Sequence, residues 1–175
     1  MCDTYGQYLT MKAEIDAAMQ EVIRSTQFIK SGKVLEFEKN LSSYLSTHVI
    51  ACANGTDALQ IAYMALGLQP GDEVITVPFT FIATVETLAL MGLKPVFADV
   101  LPDTFNIDTT QIEKLITAKT KAIVPVHLFG QCANMEEIMA IAKKHNLFVI
   151  EDAAQAIGAE YIFSDGTCKH AGTVG

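Results

Sequence analysis

Apolar positions change their period once along this chain. In the first third they recur at helical spacing, as Ile15, Met19, Val22 and Ile23 and again as Val34, Leu35, Phe37, Leu41, Tyr44 and Leu45. That spacing predicts two amphipathic helices, separated at Lys30-Ser31-Gly32-Lys33. From His48 onward, short apolar runs alternate with amphipathic stretches. The runs Val49–Ala53, Glu73–Val77, Pro95–Ala98, Ala122–Val126 and Leu147–Ile150 predict five strands. Helices are predicted from Asn54-Gly55-Thr56-Asp57 to Leu68, and from Thr80 to Met91 with Gly92 closing the second. Asp108 reads as an N-cap forming a capping box with Gln111. Asn134 caps a helix to His145, with Glu136 and Glu137 well placed against its dipole.

Strands this apolar, set between helices, call for cover on both faces, which means a parallel sheet between helix layers. The predicted fold class is α/β, three-layer α/β/α and doubly wound. An amino-terminal helical segment, residues 1–47, precedes an α/β unit, residues 48–175, with no repeat or linker.

Composition narrows the function classes. At 175 residues and 50% hydrophobic, the chain can bury one full core and is not a disordered one. Twelve basic against 20 acidic side chains give a net charge of -8, with Arg24 the single arginine. This argues against a nucleic-acid groove, whose affinity comes from basic side chains on phosphates. The first eight residues lack the charge and apolar run of a signal peptide, and no apolar run has bilayer-spanning length. Cysteines 2, 52, 132 and 168 form no CxxC pair. They read as free thiols of a reducing cytoplasm.

In an open parallel sheet, ligands bind beyond the carboxyl ends of the strands, which selects three segments. Gly55 and Thr56 sit at a helix start, where free N–H groups suit an anion, although a plain N-cap and turn would look the same. Phe81, past the second strand, can stack on a planar ligand or simply fill core. Glu151 and Asp152 follow the fifth strand, where a carboxylate needs a partner or a cleft; a helix N-cap is the simpler use. His127 is the one histidine placed near such a cleft, with a structural role the simpler reading. There is no GxGxxG, P-loop, GxSxG or HExxH pattern.

Four segments taken together carry a resemblance. Cys52-Ala53-Asn54-Gly55-Thr56-Asp57-Ala58-Leu59, Pro78-Phe79-Thr80-Phe81-Ile82-Ala83-Thr84, Pro125-Val126-His127-Leu128-Phe129-Gly130-Gln131 and Val149-Ile150-Glu151-Asp152-Ala153-Ala154-Gln155 occur in order. They resemble the DegT/DnrJ/EryC1/StrS family of sugar aminotransferases, from about Tyr8 to the last residue. The resemblance implies a type I pyridoxal-phosphate fold and an enzyme that moves an amino group from glutamate to a nucleotide-linked keto-sugar. It implies that Gly55 and Thr56 cradle the cofactor phosphate and that Phe81 stacks on its ring. Asp152 would pair with the ring nitrogen, which lets the ring accept electrons, and Gln155 would reach the phenolic oxygen. A cytoplasmic homodimer is the implied assembly.

The Schiff-base lysine of that family lies beyond the aspartate strand, in an aromatic- and serine-rich segment not found here. Lys169, in Asp165-Gly166-Thr167-Cys168-Lys169-His170, reads as part of an exposed turn and is not assigned that role. The chain is therefore expected to be the amino-terminal part of a longer enzyme. A sugar dehydratase of the same family, with histidine for that lysine, shares every motif above, and a truncated non-catalytic binding or regulatory relative is the third reading. The 175 residues alone are expected to show no transamination with added pyridoxal phosphate and glutamate. A robust rate in that assay would overturn the expectation.

Overall fold

The computed structural model describes residues 3–175. These fall into two compact units, one reaching Ala51 and the other Cys52–Gly175. The first holds α1 (Thr4–Ser25) and α2 (Gly32–Leu45); the break between them starts earlier than the expected Lys30–Lys33, and Gly32 and Lys33 already belong to α2. Asp3 caps α1 by accepting the Gly6 N–H at 2.8 Å. No side chain of either helix is buried.

The strand expected over Val49–Ala53 does not form. Two of its backbone donors are taken by side chains of α2: the Val49 N–H goes to the Ser42 hydroxyl at 3.0 Å and the Ala51 N–H to the Glu38 carboxylate at 2.8 Å. Ile50 points into solvent. An apolar run whose N–H groups are satisfied locally has no ladder to join.

The second unit is α/β. In chain order it holds α3 (Gly55–Ala65), β1 (Glu73–Thr76), α4 (Ala83–Leu90), β2 (Lys94–Phe97), α5 (Thr109–Leu115), β3 (Thr120–Ile123), α6 (Met135–His145) and β4 (Phe148–Val149). Asn54 caps α3 by accepting the Asp57 N–H at 2.9 Å. Asp108 caps α5, but the reciprocal half of the expected box is missing. Gln111 instead donates to the Asp108 carboxylate and accepts the Asp99 N–H, while the Asp108 N–H goes to the Asp99 carbonyl. Gly92 closes the turn after α4 with φ at +71°, a conformation that suits a residue without a Cβ.

The four strands are parallel, in the order β2-β1-β3-β4. Side chains alternate between faces along a strand, and the two central strands divide accordingly. Val74, Ala122 and Val124 join Leu59, Tyr63 and Leu88 in one core, under α3 and α4. Ile75, Val77 and Ile123 join Ile112, Met135 and Ile138 in the other, under α5 and α6. Burial of each such large aliphatic contributes about 1.5–3 kcal/mol.

Cover on both faces holds for β1 and β3 but not for β2 and β4, which lie at the sheet edges and leave Phe97 and Phe148 about half exposed. Pro95 in β2 sits where a missing N–H costs no ladder bond. After β4 comes an antiparallel hairpin, β5 (Glu160–Ile162) and β6 (Cys168–His170). Lys169, expected in a turn, is thus in a strand opposite Tyr161, and the turn itself closes with the Phe163 N–H on the Thr167 carbonyl. Among the described residues no helix is long and apolar enough to cross a membrane.

Tyr63 is fully buried, and its phenolic oxygen has no hydrogen-bond partner at normal geometry. Burial pushes the phenol up to about 12, with the Thr87 hydroxyl opposing and the Asp152 charge adding to the rise. Thr87 gives its own proton to the Ala83 carbonyl at 2.7 Å. Tyr63→Phe should therefore change the unfolding free energy by less than about 1 kcal/mol, whereas Tyr63→Ala should cost about 3–5 kcal/mol by leaving a cavity. Urea denaturation of both variants checks this, and a large loss in the phenylalanine variant would show that the hydroxyl has a partner.

Candidate active site

The chain leaves β1 towards β2 on one side, then returns past β1 to build β3 and β4 on the other. Right-handed crossovers put the two sets of connections on opposite faces, which opens a crevice beyond the carboxyl ends of the strands. A cleft of about 390 Å³ lies there. Thr80, Phe81 and Ala83 enter it after β1, Val126 and His127 after β3, and Asp152, Ala154 and Gln155 after β4, while the start of α3 adds Gly55 and Thr56. All five residues singled out in the sequence, Gly55, Thr56, Phe81, Asp152 and Gln155, thus meet at one cleft. Lys169 does not line it.

Asp152 is held there by backbone pairing that continues beyond β3 and β4. Its N–H donates to the Pro125 carbonyl at 2.9 Å, and its carbonyl accepts the His127 N–H at 3.0 Å. Its carboxylate accepts the Thr84 hydroxyl at 2.7 Å and, more weakly, the Ala154 N–H at 3.3 Å. Pro125 does not interrupt this pairing, because only its carbonyl is used.

At the start of α3, Asn54 caps the Asp57 N–H. Gly55 and Thr56 occupy the first helical positions, whose N–H groups have no acceptor within the helix. A Cβ built on Gly55 would meet nothing within 4 Å, so the backbone is open to close approach. The lining carries one carboxylate and neither lysine nor arginine. An anion bound here relies on N–H groups, the Thr56 hydroxyl and the helix dipole.

Gln155 has a fixed amide orientation. Its carbonyl oxygen accepts the Phe129 N–H at 2.9 Å, leaving the NH2 as a donor. That bond holds Phe129 at a φ of 56°, strain of about 1–3 kcal/mol that surrounding contacts must sustain. Phe81 is 73% exposed and offers a ring face at the mouth of the cleft.

Glu151, beside Asp152, has a different role. Its side chain is buried and accepts His127 Nε2 at 2.8 Å and the N–H groups of Gly172 at 2.9 Å, Val174 at 2.6 Å and Gly175 at 2.6 Å. The His127 Nδ1 accepts the Ala133 N–H at 3.1 Å, so the ring proton is on Nε2 and is donated to Glu151. The structural reading of His127 is the one the geometry favours. Sequence reasoning missed Thr84 as the partner of Asp152; its signal was a hydroxyl one helical turn beyond Thr80 in an apolar stretch.

Burial pushes the Glu151 carboxyl up, but the hydrogen bonds from His127, Gly175, Gly172 and Val174 outweigh it and hold the group below its ordinary value. A folded value below the unfolded one adds stability above the unfolded value and loses it as pH falls through the folded one. Unfolding free energy should drop on acidification from about pH 5 to below about pH 4. Glu151→Gln should flatten that drop and cost about 3 kcal/mol at neutral pH. Urea denaturation at the two extremes checks both, and equal neutral stability of variant and wild type would count against the assignment.

A model of the DegT/DnrJ/EryC1/StrS aminotransferase family matches residues 9–175. The chain is 53% identical over 169 residues to a pleiotropic regulatory protein of Geobacillus stearothermophilus, covering 96% of this chain and 45% of the relative. It is 52% identical over 160 residues to UDP-2-acetamido-2-deoxy-3-oxo-D-glucuronate aminotransferase of Pseudomonas aeruginosa, covering 91% and 45%. It superposes on the crystal structure of ntda from Bacillus subtilis with bound cofactor PMP, with a TM-score of 0.83 and 43% identity, covering 85% of this chain and 34% of that one. The chain thus spans under half the length of these relatives.

Proposed function

Because the chain belongs to the DegT/DnrJ/EryC1/StrS aminotransferase family, we propose that it is part of a pyridoxal-phosphate enzyme moving an amino group from glutamate to a nucleotide-linked keto-sugar. On this reading Cys52–Gly175 is part of its cofactor-binding domain, preceded by the unit that holds α1 and α2. The same reading makes it a cytoplasmic homodimer. The observation that carries the proposal is the single carboxylate of the cleft, Asp152, lining the same cleft as the uncharged Gly55 and Thr56 at the start of α3.

The donor set fits the cofactor. Gly55 and Thr56 supply N–H groups and a hydroxyl for a phosphate, with open space where a Cβ would stand. Gln155 lines the cleft and has its NH2 left for donation, as a phenolic oxygen requires, because its own oxygen is occupied by Phe129. Phe81 offers a ring face for a planar heterocycle. Asp152 supplies the negative charge for a protonated ring nitrogen. When bound, pyridoxal phosphate supplies an electron sink for breaking the bond to the substrate α-hydrogen. The residues of this chain bind and orient it: Asp152 keeps a proton on the ring nitrogen, and the α3 start holds the phosphate without a lysine or arginine.

A regulatory reading has one observation in its favour, the likeness to the pleiotropic regulatory protein of Geobacillus stearothermophilus. The full-length protein, given pyridoxal phosphate, glutamate and UDP-, dTDP- or GDP-linked keto-sugars, decides between them. Uptake of the cofactor and formation of an amino sugar are expected, with Asp152→Asn lowering the rate about 10²–10³-fold. Release of a dehydrated sugar would indicate the dehydratase chemistry. No cofactor uptake, or full activity in the asparagine variant, would overturn the proposal.

A further inference from the structure

Two threonines on α4 use their hydroxyls differently. A threonine inside a helix ordinarily returns its hydroxyl proton to the carbonyl one turn back, and Thr87 does so, donating to the Ala83 carbonyl at 2.7 Å. Thr84, equally buried, instead reaches across 68 positions of sequence to the Asp152 Oδ2 at 2.7 Å. A second hydroxyl backs it: Thr80 Oγ1 lies 3.0 Å from Thr84 Oγ1. Thr84 has one proton, and an ionised carboxylate only accepts. With that proton given to Asp152, the remaining hydrogen bond must run from Thr80 to Thr84. The three side chains form a directed chain, Thr80 to Thr84 to Asp152.

We propose that Thr84 is a positioning residue that orients the Asp152 carboxylate for the cofactor's ring nitrogen. This rests on the functional reading above. Thr84 occupies Oδ2, while Oδ1 has only the long 3.3 Å contact to the Ala154 N–H. Oδ1 is therefore the oxygen with the greater acceptor capacity left for a ligand, and the carboxylate plane is fixed before any ligand arrives. Without Thr84 the carboxylate can rotate about its last side-chain bond. The hydroxyl sits in a fully buried environment, where water cannot take its place.

The test uses the full-length protein and three variants: Thr84→Val, which keeps the shape and removes the hydroxyl, Thr84→Ser, which keeps the hydroxyl, and Thr80→Val. The readouts are the dissociation constant for pyridoxal phosphate, the absorption maximum of the bound cofactor, and the melting temperature of the apoprotein. Thr84→Val is expected to weaken cofactor binding about tenfold, the worth of one hydrogen bond to a charged group, and to displace the absorption maximum. Thr84→Ser should restore both. Wild-type affinity and spectrum in Thr84→Val, or a serine variant as impaired as the valine one, would overturn the proposal. If Thr84→Val does not fold, Thr80→Val decides: a displaced maximum with weaker binding supports the directed chain, and an unchanged protein overturns it. A wild-type protein that takes up no cofactor overturns the functional reading itself, whereas normal wild-type uptake with silent variants overturns the role of Thr84 alone.

Discussion

The buried carboxylate of Glu151 is the constraint on which the cleft depends. It collects the His127 ring proton and three backbone N–H groups from Gly172, Val174 and Gly175. An ionised group removed from water survives only when so satisfied. Through His127 it ties the loop after β3, and through the three N–H groups it ties the segment after β6. Successive residues of an extended chain point to opposite sides. With Glu151 committed to the interior, its neighbour Asp152 is turned towards the cleft.

That inversion meets a sheet whose topology already provides a crevice. The two cores separate cleanly by alternation along β1 and β3, and the return of the chain past β1 makes their helices diverge. Backbone pairing then continues past the strands proper, from Val126 to Asp152. The result is a carboxylate fixed in both backbone and side chain in the same cleft as a helix start. Both are rigid elements, and a site built on rigid elements can hold a ligand geometry that loops alone would blur.

The parts read correctly from sequence were those governed by local rules. The caps Asn54, Asp108 and Asn134 and the turn glycine Gly92 are short-range devices. So is the alternation of apolar runs with helical stretches that announced a parallel sheet. The failures have one cause, competition from a partner not visible in the local pattern. Val49–Ala53 has strand composition, but Ser42 and Glu38 take the N–H groups of Val49 and Ala51. Gln111 has capping-box spacing, but Asp99 offers it a better donor. Cys168–His170 has too few residues to show a period, and it becomes a strand only because Glu160–Ile162 lies beside it.

For the site, the residue types and their positions at strand ends were legible, because the chemistry of a carboxylate, a helix start and an amide is carried by the residues themselves. The resemblance pointed to Asp152 as the carboxylate for the ligand, but the role of Glu151 was not legible, since the two are chemically alike and only the fold brings His127 and three N–H groups to Glu151. Nor was the Thr84 contact, made between residues 68 positions apart. Sequence alone determined the helices, the parallel arrangement of the four strands from β1 to β4 and the residue types at the strand ends. Tertiary structure decided partnership, because a hydrogen bond depends on distance in space and direction, and neither is encoded in spacing along the chain.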